Sequence, residues 1–219
     1  MTDKLTNGPE NEQEVQERTR GMDMAWVFLS RLFKGALALL TGQEIYIRFL
    51  LVWRGDGDGP EGRTCVFHFP SLDEAREGLR ILFNLNDQGY DVFVGVNLRW
   101  LRSGAKSAVR AASVIHCEID ATLNLLAADI ERLAKAVGAS FRVVSGPTGG
   151  QHVYFILDEL IDPAHAEVLN KILAQMLSCK DAVHDVSRHL RVAGTINNKP
   201  EYRGMSRFRA MLINEKETK

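Results

Sequence analysis

The chain has 219 residues, 45% of them hydrophobic and 25% charged, with a formal net charge of −1. That length and balance fit one well-buried domain, or two modules sharing a cleft, and exclude a low-complexity or collagen-like chain. Near-neutrality excludes a globally basic nucleic-acid binder, so a polymer-binding surface must be a local patch. The three cysteines, Cys65, Cys117 and Cys179, are far apart and form no C-x-x-C pair. This argues against a zinc module or a disulfide framework and fits a reducing cytoplasm.

In chain order, residues 1–20 are polar and acidic and read as a disordered tail. Residues 24–41 are the longest apolar stretch, but Arg31 and Lys34 interrupt it. About 20 unbroken apolar residues are needed to span a bilayer, so an amphipathic helix over 22–41 is expected and no membrane is involved. EIYIRFLLVWR (44–54) and RTCVFHF (63–69) read as a hairpin around a Gly/Asp-rich turn at 55–62. That turn lacks the twelve-residue calcium-loop pattern. Ser71 and Glu74 form a capping box for a helix to about Asp87. GYDVFVGVNLR (89–99) reads as a strand, 100–112 as a basic small-residue loop, and SVIHCEID (113–120) as a strand ending in carboxylates.

A helix over 122–137 stops at Gly138, FRVVSG (141–146) and QHVYFIL (151–157) flank a turn at 147–150, and Asp162-Pro163 open another helix to about Cys179. A last strand falls within 205–213. The order strand–helix–strand–strand–helix over about 111–213 predicts an α+β class with helices on one face of a sheet, similar to an RNA-recognition fold.

Three segments carry candidate chemistry. Glu118 and Asp120 alternate on a strand, so both carboxylates project from one face. Such a pair suits Mg2+ or Mn2+, although acid-x-acid at a strand end is also simply solvated. In SGPTGGQH (145–152) three glycines let a turn approach a ligand closely, with Ser145, Gly150 and His152 as candidate nucleotide contacts. The plainer reading is a hairpin with an incidental histidine. In the third segment Asp181 or Asp185 offers another acid, and Arg188, Arg191 and Lys199 offer charge for a triphosphate. A surface loop with ordinary salt bridges is the alternative. Together, acids, a histidine and arginines are what template-directed phosphoryl transfer requires.

In these segments the chain resembles the archaeo-eukaryotic primase superfamily, especially the RepB-like primase-polymerases of plasmids, phages and mobile elements. Glu118-Ile119-Asp120 matches the first motif, SGPTGGQHVYF (145–155) the second, and Asp181 or Asp185 with RHLRVAGTINNK (188–199) the third. The resemblance spans about residues 44–213 and implies an N-terminal α/β unit (about 21–110) packed on an RNA-recognition-like unit (about 111–213), with the active site in the cleft. It implies Glu118, Asp120 and the third-motif aspartate (Asp181 or Asp185) as ligands of a two-metal Mg2+ or Mn2+ site without zinc. His152, Arg188 and Arg191 would contact the incoming nucleotide. Glu118 stands where aspartate is commoner, Ala193 replaces a proline, and the Asp181–Arg188 spacing is about one residue short.

The expected activity is a DNA primase-polymerase that takes nucleoside or deoxynucleoside triphosphates on single-stranded DNA, with a replicative helicase as a further partner. The alternative is a catalytically silent nucleic-acid-binding relative. A relaxase-type initiator would want a His-x-His pair, which the six histidines do not form. Arg99, Arg102, Lys106 and Arg110 are the expected template contacts, and Trp100 is either a base-stacking platform or a packing residue.

Overall fold

The structure is a computed structural model and describes residues 12–55, 63–119, 127–177, 179, 184–202 and 207–214. Its elements are α1 (Glu12–Leu39), β1 (Ile47–Trp53), β2 (Thr64–Phe69), α2 (Leu72–Asp87), β3 (Tyr90–Gly95), β4 (Ala112–Ile119), α3 (Ala127–Ala136), β5 (Phe141–Val144), β6 (Gln151–Ile161), α4 (Pro163–Met176), β7 (His189–Arg191) and β8 (Met211–Asn214). The strands form two antiparallel sheets, ordered β2-β1-β3-β7 and β4-β6-β5-β8. The chain passes from the first sheet to the second between β3 and β4, and β7 returns to the first. The class is α+β, as the element pattern predicts.

Local sequence explains the element ends. Ser71 caps α2, its Oγ accepting from the Glu74 amide at 3.2 Å. Asp162 caps α4, accepting from the Ala164 amide at 2.8 Å, with Pro163 at the first helical position, where its missing N–H costs nothing. Gly138, at φ +76°, ends α3 in the left-handed region that favours glycine.

Helix α1 begins well before its apolar stripe. Residues 12–20, expected as tail, form its first turns. Glu12 and Glu14 complement the positive helix end, and Arg18 Nε sits 2.9 Å from Asp87 at the end of α2. Further along, Phe28, Leu29, Leu32 and Phe33 are fully buried. They join Ile47, Phe49 and Leu51 of β1, Leu82 and Phe83 of α2, and Phe141 and Tyr154 of the second sheet in one core. Helix α1 thus packs against both sheets, with the Phe28 ring edge-on to Phe141 and Tyr154 at 5.9 and 5.6 Å. A second core under α3 and α4 covers the other face of β4 and β6 through Cys117, Ile119 and Val153. There Cys117 and Cys179, distant in sequence, meet as free thiols with sulfurs 2.7 Å apart. Among the described residues no helix is long and apolar enough to cross a membrane.

One backbone crossing ties α1 to the third motif. Gly194 has φ +85°, and a Cβ there would lie 2.0 Å from the Gly21 carbonyl oxygen. Gly194→Ala would add left-handed strain to a backbone clash, and a loss of about 2–4 kcal/mol in unfolding free energy is expected by urea denaturation.

Candidate active site

The site lies where the second sheet faces the first. Glu118 on β4 is registered directly opposite His152 on β6, so both project from one face of the sheet. Glu118 Oε1 stands 3.6 Å from His152 Nε2, and Arg188 donates to Oε2 at 3.1 Å. His152 is 4% exposed, whereas the Glu118 side chain keeps 29% of its surface open. The imidazole, aided by Arg188 against the opposing effect of burial, holds the Glu118 carboxyl down at about 2. Glu118 is therefore an ionised oxygen donor at neutral pH.

Beside it the 145–150 turn is closed on itself: the Ser145 amide and hydroxyl both donate to the Gly150 carbonyl, at 2.8 and 3.0 Å. Gly149, at φ +90°, supplies the left-handed residue this closure needs. The third segment clasps the turn from outside. Asn197 Nδ2 donates to the Ser145 carbonyl at 2.6 Å, and the Tyr202 hydroxyl bonds Thr148 Oγ1 at 3.1 Å. A cavity of about 200 Å3 opens among Glu118, Ser145, Gly150, His152, Arg191 and Lys199, with Phe93 on its first-sheet wall. A larger cavity of about 680 Å3, between the start of α1 and residues 207–211, lies away from these groups.

Arg191 is 2% exposed and is held rigidly. Its NH1 donates to Asp91 Oδ1 at 2.6 Å, and its guanidinium lies 5.0 Å from the Phe93 ring centre. Its NH2 is buried without a hydrogen-bond partner. Asp91, 0% exposed, also accepts from the Asn198 amide at 2.9 Å and pairs with Arg54 at 3.3 Å. Asn86, at the end of α2, donates to the Ile196 carbonyl at 2.9 Å and accepts from its amide at 2.7 Å. Asp91, Asn86, Asn197 and Tyr202 position the site; Asn197 falls within the third motif, and motif spacing did not reveal the other three. The signal available for Asp91 was an acid inside an otherwise apolar strand.

The predicted residues divide clearly. Glu118, Ser145, Gly150, His152, Arg191 and Lys199 line the cavity, and Arg188 adjoins it through Glu118. Asp120 and Asp181 lie outside the described residues. Asp185 is exposed, its Oδ1 accepting from the Ser187 amide and hydroxyl at 2.7 and 2.8 Å. Lys199 sits 3.6 Å from Glu201. Among the described residues no three His, Cys, Asp or Glu side chains converge on a metal-sized space. Of the four expected acids the structure describes Glu118 and Asp185, and of these Glu118 lines the cavity as an ionised, partly open carboxylate.

The basic loop needs correction. Arg99 is 0% exposed and donates to the Ser187 carbonyl at 2.6 Å, so it is an interior cation and not a surface contact. Lys106 is exposed but paired with Glu167 at 2.6 Å, Arg102 lies 4.8 Å over the Tyr46 ring, and Arg110 is exposed. Trp100 packs against the main core, which favours its packing role.

A buried and a partly buried histidine make the fold acid-sensitive. His116, on the face of β4 that carries Glu118, is 1% exposed with neither ring nitrogen bonded, and burial followed by the His152 charge lowers it to about 3. His189 is lowered to about 3 by burial, then by Arg99 and Arg48. Below about pH 6.5 the unfolded chain takes up protons that the folded chain refuses, so stability falls with pH at roughly 1.4 kcal/mol per unit per histidine. Urea denaturation between pH 6.5 and 4 should show this fall, and His116→Leu should remove about half of the slope.

No family model matches the chain, and no curated protein matches it. Solved structures do. The crystal structure of the primase RepB' superposes with a TM-score of 0.60 at 15% identity over 88% of this chain, which spans about half of that one (55%). The primase-polymerase domain of cyanophage S-2L gives 0.56 at 17% identity, over 82% of this chain and 86% of that one. The catalytic domain of RepB' in complex with initiator DNA gives 0.55 at 15% identity, over 86% and 84%. The chain therefore has an archaeo-eukaryotic primase-like fold, resembling that of the RepB-like primases.

Proposed function

We propose that the protein is a metal-dependent nucleotidyltransferase, a primase-polymerase that makes or extends primers on single-stranded DNA in the replication of a plasmid, phage or mobile element. The observation that carries this reading is the pairing of an ionised Glu118 with His152 and Arg188, beside a closed glycine turn, in a cavity walled by the buried Arg191. The primase-like fold supports it, and one of the similar structures is a catalytic domain bound to initiator DNA.

The cavity is smaller than the roughly 300–1,000 Å3 that encloses a whole small molecule, so it suits the polar head of a nucleotide with the base outside. Glu118, with Asp120 and either Asp181 or Asp185, would hold Mg2+ or Mn2+, which supplies activation of the attacking 3′-hydroxyl and charge neutralisation at the leaving pyrophosphate. Arg188 and Lys199 meet the triphosphate oxygens from the open side, and Arg191, fixed by Asp91, offers its remaining N–H from beneath. His152 donates a hydrogen bond from the sheet. Because Arg191 is set by the buried Asp91, it needs little reorganisation when charge develops in the transition state.

The test is labelled nucleotide incorporation on single-stranded DNA with Mg2+ or Mn2+, intact chain beside Asp120→Ala. Product from the intact chain alone supports the reading. Extension of a supplied primer without synthesis of a new one removes priming and keeps polymerisation. No incorporation with either metal favours the silent nucleic-acid binder.

A further inference from the structure

The first sheet packs one face on the core and leaves the other half-open. By register, Arg48 of β1 faces His68 of β2, Gly95 of β3 faces His189 of β7, and Phe93 faces Arg191. These alternate residues share the open face, the one that reaches the cavity at Phe93 and Arg191. Two residues along β7 from Arg191, about 7 Å away, the face gathers Arg48, Arg99 and Arg102 around the rings of His189 and His68.

Arg48 contacts the His189 ring through NH1, and Gly104 brings its backbone close enough that a Cβ there would lie 3.0 Å from Arg48 NH2. The Arg99 guanidinium lies against Gly95, where a Cβ would meet NH2 at 3.0 Å. Arg102 covers Tyr46, whose ring is edge-on to His68 at 6.1 Å. Arg48 Nε, His68 Nε2 and both Arg99 Nε and NH1 are buried donors or ring nitrogens without hydrogen-bond partners, and Arg99 is wholly buried. Of the acids of the flanking segments, Glu44 accepts from the Tyr46 hydroxyl and Asp185 from Ser187, and the Asp185 charge offsets only part of that of Arg99. Burial and the arginine charges oppose protonation of both rings: His68 is lowered by burial and then by Arg48, Arg102 and Arg99, and His189 by burial and then by Arg99 and Arg48. Like charges and unmet donors held together cost free energy unless an anion joins them.

We propose that Arg48, His68, Arg102 and His189, with Arg99 beneath, form a phosphate-binding site separate from the Glu118 cavity, occupied by a backbone phosphodiester of single-stranded DNA. The phosphate chemistry stands on geometry alone, while assignment of the strand as its source rests on the proposed function. Bound there, a strand would run across the open sheet face toward Phe93 and the cavity. This moves the expected template contact from the 99–110 loop as a whole to the sheet face, keeping Arg102.

The experiment follows the histidine ring resonances of the full chain by NMR while three probes are added separately. These are inorganic phosphate, a nucleoside triphosphate, and an oligothymidylate without a 5′-phosphate. The proposal expects phosphate and the oligonucleotide to move His68 and His189, and Arg48→Ala and the exposed Arg102→Ala each to weaken oligonucleotide binding about tenfold. Each should also reduce the salt slope of binding by about one. If the triphosphate moves these rings and the oligonucleotide does not, the strand assignment is overturned. If no probe moves them, the site is overturned. Nucleotide incorporation is not part of this readout, so an inactive protein that still binds DNA here would count against the polymerase and leave this site standing.

Discussion

Replacement of Glu118 by Gln is expected to lower nucleotide incorporation by on the order of 10³-fold, with the fold intact. Glutamine keeps the shape and one carbonyl acceptor for Arg188, which now bonds Oε2 at 3.1 Å. It removes the negative charge that a hard cation requires. The pH dependence separates chemistry from folding. The Glu118 carboxyl sits at about 2, below its ordinary value near 4.5, so its pairing stabilises the fold above pH 4.5, and that contribution is lost as pH falls toward 2. The variant should therefore have a modestly lower unfolding midpoint at pH 7 and a flatter acid limb, measured by urea denaturation. A variant that unfolds outright would mean that Glu118 serves the fold and not the reaction.

Asp91→Ala should be the most destabilising single change at the site, by about 3–5 kcal/mol, because it strands a buried guanidinium. Arg191 is 2% exposed and its strong contact is the 2.6 Å bond to Asp91. The same carboxylate holds the Asn198 amide, so its loss also frees the segment that clasps the glycine turn. At about 2–4 °C per kcal/mol for a chain of this size, the melting temperature should fall by roughly 10 °C. Scanning calorimetry measures this directly. Arg191→Met with Asp91→Leu, which removes both charges, should recover much of the loss while leaving nucleotide binding impaired.

What the sequence made legible was local. Ser71 with Glu74, Asp162 with Pro163, and the glycine turn before His152 each carry their reason within a few residues, and each forms as the pattern predicts. The pairing of Glu118 with His152 was visible as two motifs but not as a contact, since the register of β4 on β6 is a long-range property. Residues 12–20 read as tail because their stabilising partner, Asp87, lies at the far end of another helix. Arg99 read as surface because arginine is seldom wholly buried. Its burial follows from the absence of a Cβ at Gly95 and from the Ser187 carbonyl, both remote in sequence. Asp91 was hidden for the same reason: its partners, Arg191 and Asn198, are about a hundred residues away.

In the proposed function the cavity between the sheets takes a nucleoside triphosphate together with a divalent cation. The direct measurement is calorimetric titration with a triphosphate whose α–β bond cannot be cleaved, with Mn2+ present and after chelation. Binding that weakens at least about tenfold, or 1.4 kcal/mol, on chelation, and equally in Glu118→Gln, is the predicted result. An affinity that is the same with and without metal, or no binding in either condition, would contradict it.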